Sequence, residues 1–218
     1  MRGLELARPG DRLSVLCLGA HSDDIEIGCG GTILKLIEDY RSEMSVHWVV
    51  LSATAERRGE AKSSAEAFLR DAAQTTIIIE DFEDSFFPYH GAEIKKRMHQ
   101  VSREFVPDVI FTHHRQDLHQ DHRLVSELTW NAFRDHWILE YEVPKFDGDL
   151  MSPNLFVSLS QATCRKKVNY LLEYFQSQKQ RSWFTAETFS ALHRLRGVEC
   201  NSKTGYAEAF HCRKIVLG

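Results

Sequence analysis

The chain has 218 residues and a formal charge of −4 at pH 7. Such a balance carries no basic surface of the kind that binds nucleic acid or an anionic membrane. Hydrophobic residues make up 43% of the chain, enough to bury an ordinary core, which excludes a disordered protein. Cys17, Cys29, Cys164, Cys200 and Cys212 are odd in number and form no C-x-x-C pair, so a reduced, cytoplasmic protein is expected. The N-terminus, "MRGLELARPGDR", lacks the apolar stretch of a signal peptide. No apolar run approaches the ~20 residues that a membrane span needs.

Two periodicities alternate through the first two-thirds of the chain. Residues 12–20, "RLSVLCLGA", form a dense apolar run and predict a buried strand. In residues 30–41, Ile33, Leu36, Ile37 and Tyr40 recur at helical spacing. A second strand is expected over 45–53, a helix over 59–73, and a third strand over 75–81. A helix over 91–105 and a strand over 107–113 follow, then a helix over 121–135 that opens on a good capping residue. The last third is less regular. "LEYEVPKF" and "NLFVSLS" read as strands, 161–178 and "TAETFSALHRLRGVEC" as helices, and 206–217 as a final strand. This order predicts an α/β, Rossmann-like fold: a mainly parallel sheet, helices on both faces, and a smaller C-terminal extension. No linker or internal repeat interrupts residues 1–218, so one domain is expected.

In open α/β sheets, ligands bind beyond the carboxyl ends of the strands. The first strand ends in "HSDDIE" and the fourth in "HHRQDLHQDHR" (113–123). Glycines follow the first strand, as in a dinucleotide site. However, Asp23, Asp24 and Glu26 occupy the turn and would repel a phosphate. Gly28, Gly30 and Gly31 either permit a tight turn and close helix packing or take part in a site. Two His/Asp clusters at two strand ends suit zinc, which at catalytic centres takes three protein ligands and leaves one position open. His21 and Asp24, three residues apart, can face one ion, with a third ligand from the other cluster.

At these residues the sequence resembles the LmbE-like, or PIG-L-like, family of zinc-dependent N-acetylglucosaminyl deacetylases. The family motif A-H-P-D-D-E corresponds to Ala20-His21-Ser22-Asp23-Asp24-Ile25-Glu26, and H-x-D-H to His119-Gln120-Asp121-His122, with Asp117 upstream. "YAEAF" (206–210) and "RRGEAKSSAEAF" (57–68) are weaker similarities. Ser22 replaces the family's proline, and Ile25 shifts the following acid by one place, which leaves Glu26 without a matched role. The resemblance implies a Zn2+ ion held by His21, Asp24 and His122. It further implies Asp23 as general base, His119 as polariser of the carbonyl oxygen, and Asp121 as the residue that orients a neighbouring histidine. A protonated His119 favoured by Asp121 is the expected oxyanion partner. His113 and His114 receive no ligand role.

Arg57, Arg194, Arg196, Tyr206 and Glu208 are read either as contacts to a polar sugar or as ordinary surface. The aromatic run "EDSFFPYH" (83–90) is read as a wall for a sugar ring or as core packing. The expected activity is removal of an N-acetyl group from a small amino-sugar substrate. A metal-dependent phosphoesterase and a non-catalytic sugar- or nucleotide-binding module are the alternatives. No nucleic-acid partner and no membrane insertion are expected, and homo-oligomerisation is left open.

Overall fold

The computed structural model describes residues 11–40 and 43–216. Position 41, at the end of the second expected element, and position 217, at the end of the last, lie outside that range. Seven strands form one sheet: β1 (Leu13–Gly19), β2 (Met44–Val50), β3 (Gln74–Ile79), β4 (Val109–His113), β5 (Trp137–Tyr141), β6 (Leu155–Ser158) and β7 (Ala207–Cys212). Their spatial order is β3-β2-β1-β4-β5-β7-β6. The first five are parallel. β7 runs antiparallel to β5 and β6. The C-terminal third thus completes the same sheet instead of leaving it. Among the described residues, no helix is long and apolar enough to cross a membrane.

The central strands are apolar on both faces, and alternate side chains feed two cores. Leu13, Val15 and Cys17 of β1 join Trp48, Phe111 and Tyr141 on one face. Leu16 and Leu18 join Val49, Ile110 and Ile138 on the other. The first face is covered by α1 (Asp24–Tyr40), α2 (Ala55–Phe68), α5 (Gln161–Tyr174) and α6 (Ala186–Glu199). The second is covered by α3 (Gly91–Glu104) and α4 (Gln120–Ala132).

Two helices start earlier than their sequence pattern suggests. α2 opens at Ala55 because the Thr54 side chain accepts from Arg57 N–H and caps it. α1 opens at Asp24, not at residue 30, and takes all three glycines into its first turns. Glycine lowers helix propensity by about 1 kcal/mol per residue, so the local signal there reads as a turn. Space decides the matter. A Cβ on Gly28 would enter the Tyr141 ring, and one on Gly31 would stand 2.6 Å from Leu159 Cδ1. The glycines let α1 lie close against β5 and the start of α5.

Glu208 of β7 and Lys167 of α5 reinforce that approach. Glu208 accepts from Gly31 N at 2.8 Å and Thr32 N at 2.6 Å. Lys167 Nζ donates to Ile27 O and to Glu208, each at 2.6 Å. Both side chains are buried.

Gly28→Ala is expected to cost about 1–3 kcal/mol by overpacking. Chemical denaturation of the folded protein measures it, and an unchanged midpoint would mean that Tyr141 yields freely. Glu208→Ala strands the Lys167 ammonium and is expected to destabilise by about 3–5 kcal/mol in the same measurement.

Candidate metal centre

β1 and β4 are adjacent and parallel, with Val15 beside Val109. After β1 the chain crosses to β2 on one side, and after β4 to β5 on the other. Loops leaving the two strands therefore diverge and open a crevice at their carboxyl ends. The turn 20–23 enters it from β1. Residues 114–122 enter it from β4, where His119 caps α4.

Three ligand atoms meet there. His21 Nδ1 lies 3.2 Å from His122 Nε2 and 3.4 Å from Asp24 Oδ2, and the latter two are 3.5 Å apart. Ligands ~2.0–2.1 Å from zinc at tetrahedral angles stand roughly 3.3–3.4 Å from one another. The triangle thus has the size of one face of a zinc tetrahedron. A second group, Asp24, His113 and His122, also gathers its ligand atoms within 4.8 Å of one another. However, His113 Nε2 takes the Ala20 N–H at 2.9 Å, which occupies its lone pair. His21 is the freer third ligand.

A supporting layer fixes the imidazoles. His122 Nδ1 meets Asp117 Oδ2 at 2.9 Å. Asp117 Oδ1 in turn accepts from His119 N at 2.8 Å and pairs with Lys145 Nζ at 3.0 Å. His21 Nε2 faces Asp121 Oδ2 and Asp84 Oδ1, each at 3.1 Å. Asp121 is held by Ser85 N at 2.7 Å and Phe87 N at 3.1 Å. Ser85 adopts a positive φ of 69°, a conformation that L side chains rarely take.

Charge states follow from burial and neighbours. Burial pushes the Asp24 carboxyl up, but the surrounding histidines, with His21 the protonated one, outweigh this and hold it well below the usual range. Burial, with His113 alongside, pushes His122 down to about 4, so its ring is neutral and able to ligate. Burial would lower His21, but Asp121, Asp24 and Asp84 raise it well above its ordinary value. A metal must therefore displace a proton from His21.

Asp23 stands outside the triangle. Its Oδ1 accepts from Arg57 Nη2 at 2.7 Å. Burial raises its pKa against the pull of Arg57. His119 Nδ1 accepts the Asp121 N–H at 3.3 Å, which leaves Nε2 as the donor of a neutral ring. Burial and the neighbouring His21 push its pKa down. The expectation of a protonated His119 paired with the Asp121 carboxylate is corrected here, because that carboxylate belongs to His21. Glu26 is buried, and burial pushes it up to about 8 against the pull of Ser64.

Around this centre lies a pocket of about 260 Å³. Arg57 lines it. Arg196, Tyr206 and Glu208 do not, contrary to their reading as sugar contacts. Arg196 is buried between Glu142, at 2.6 Å, and Glu199, at 2.7 Å. Tyr206 lies beneath the Arg194 guanidinium, and Arg194 itself donates to Gly205 O. Glu208 sits under α1. In the run 83–90, Phe87 is core packing behind His21, and Asp84 is the residue that reaches the pocket. Phe146 and Trp183 line the wall instead. Neither they nor Asp84 and Lys145 carry a motif, so only the fold brings them into view.

A family profile described as "PIG-L: GlcNAc-PI de-N-acetylase" matches residues 16–133, which hold both clusters. The chain belongs to this family. It is 26% identical over 168 residues to the uncharacterized deacetylase YaiS of Escherichia coli (strain K12), covering 72% of this chain and 87% of that protein. Among solved structures, N,N'-diacetylchitobiose deacetylase from Pyrococcus horikoshii superposes with a TM-score of 0.71 at 21% identity, over 93% of this chain and 84% of that one. GalB, the 4-carboxy-2-hydroxymuconate hydratase of Pseudomonas putida KT2440, gives a TM-score of 0.73 at 19% identity, over 94% and 98%. At such identities the two structures establish the shared fold.

Metal binding is expected to release a proton and to weaken as pH falls, because the ion competes for His21 Nδ1. Calorimetry in buffers of different ionisation enthalpy reads the release. His122→Ala should lose the metal, and Asp117→Asn should weaken its affinity by about 10–100-fold. Unchanged metal content in His122→Ala would exclude that ligand.

Proposed function

We propose that the protein removes an N-acetyl group from an amino-sugar substrate, with one divalent ion, zinc by fit, held by His21, Asp24 and His122. The observation that carries this reading is the triangle of 3.2, 3.4 and 3.5 Å with an unliganded carboxylate, Asp23, next to it in the chain. A bound zinc supplies Lewis acidity and lowers the pKa of water to ~7. The chain does the rest. Asp23 accepts a proton from the attacking water. Its burial raises its basicity, and Arg57 fixes its Oδ1, which leaves Oδ2 to take the proton. His119 donates from Nε2 to the carbonyl oxygen as negative charge grows there. Asp23 then returns its proton to the departing nitrogen. Water is thereby divided between acetate and a free amine.

Deacetylation as a class is supported by the family membership and by the relatives. The sugar rests on the family description and on the chitobiose deacetylase of the same fold. Two other chemistries compete: hydration, named for GalB, and a two-metal phosphoesterase.

The deciding experiment is an acetate assay with the zinc-loaded protein. Substrates are N-acetylglucosamine derivatives, N-acetyl amino acids, phosphodiesters and unsaturated carboxylates. Acetate from the sugars, at one ion per chain, is the expected result. Turnover of the phosphodiesters or the unsaturated acids alone would overturn the reading. Asp23→Asn should keep the metal and lose about 10²–10⁴ in kcat. Loss of metal in that variant would make Asp23 a ligand.

A further inference from the structure

The two imidazoles of the metal triangle are backed unequally. His21 is backed by Asp121, whose oxygens accept the Ser85 and Phe87 backbone N–H groups at 2.7 and 3.1 Å. Among the described residues, no lysine or arginine pairs with Asp121. His122 is backed by Asp117, which already has a donor on each oxygen, His122 Nδ1 at 2.9 Å and His119 N at 2.8 Å. Asp117 nevertheless takes a cation as well, with Lys145 Nζ 3.0 Å from Oδ1. Burial alone does not require that third partner, since Asp121 is fully buried in the same site and does without a lysine or arginine.

Lys145 belongs to the segment after β5 that walls the pocket with Val143, Phe146 and Asp147. Its side chain is only 11% exposed, and its ammonium is shared between acids. Asp149 Oδ2 lies 2.6 Å away and Asp147 Oδ2 3.8 Å. Gly148, with φ at 65°, turns the chain between these two acids. Asp149 Oδ2 also accepts the N–H of Leu118, the residue after Asp117, at 2.7 Å. The charge that Lys145 presents to Asp117 is therefore partly taken up by Asp149.

We infer that Lys145 is a positioning residue that acts on His122 through Asp117: it weakens His122 as a metal ligand and so leaves a bound ion the stronger Lewis acid. This rests on the metal-dependent reading proposed above. A carboxylate behind an imidazole makes it a better ligand. A cation on that carboxylate draws electron density back, and its own field opposes a divalent ion on the far side of the ring. Both effects lower affinity. Both also leave the ion more electron-poor and better able to polarise a carbonyl group. The fold thus gives the centre one fully supported imidazole, His21, and one moderated imidazole, His122.

The test is the zinc affinity of the full chain, read by competition with a chromophoric chelator and without substrate. Lys145→Met should bind zinc about 10-fold more tightly, and Lys145→Arg should bind it as the unaltered chain does. Asp149→Asn leaves the Lys145 charge undivided and should bind zinc several-fold more weakly. A role in packing alone would weaken zinc binding in Lys145→Met and Asp149→Asn alike, so the opposite signs are the signature. Weaker or unchanged binding in Lys145→Met would overturn the inference. Should that variant fail to fold, unchanged or tighter binding in Asp149→Asn would overturn it instead. In the zinc-loaded protein, Lys145→Met should lower kcat for N-acetylglucosamine derivatives by about 10-fold. A change confined to KM, with zinc affinity unmoved, would make Lys145 a substrate contact and sink the inference. Opposed shifts in zinc affinity without acetate release would keep it and overturn the deacetylase reading. Acetate release with zinc affinities unmoved would do the reverse.

Discussion

The Asp24 carboxylate is buried with nitrogens of His113, His21 and His122 at 3.2, 3.4 and 3.5 Å. A carboxylate taken this far from water keeps its charge only among donors and cations. Here the His21 N–H donates to it at 2.7 Å, and the N-terminus of α1 begins at the same residue. His113 and His122 come from the other arm of the crevice, about a hundred residues away. The one buried charge therefore joins β1 to β4 and gathers imidazoles that could hold a metal. A protein that needed only stability would have little use for it, because buried ion clusters seldom outperform apolar packing.

The same demand extends outward through layers of carboxylate and imidazole. Asp117 orients His122, and Asp121 orients His21. Lys145 offsets Asp117, and Arg57 offsets Asp23. Acidic and basic groups thus alternate from the centre to the rim. Arg181 departs from that alternation, since no acid among the described residues pairs with it.

α1 must come close to the sheet for Asp24 to reach the crevice. Gly28 and Gly31 remove the side chains that would hold it off, and Glu208 with Lys167 grips its backbone from the far edge. Glu208, read from the sequence either as a sugar contact or as surface, thus positions the helix that carries Asp24. Glu208 acts on Asp24 through α1, not through a substrate.

The sequence by itself determined the strand-helix alternation, the mainly parallel sheet and the two clusters at strand ends. Dense apolar runs and helical periodicity depend on which faces are buried, and that is written locally. His21 and Asp24 were legible as a pair because they stand three residues apart at a strand end, and the family resemblance supplied His122 as the third member. The start of α1 was not legible, because three glycines weaken the local helix signal and only the Tyr141 ring and Leu159 explain them. Nor was the partner of Asp121, which is His21 a hundred residues away and not its neighbour His119. Arg196 and Glu208 carry the same charge whether they face solvent, a sugar or a buried partner. Only the tertiary structure, by setting Glu142 beside one and Lys167 beside the other, decided which.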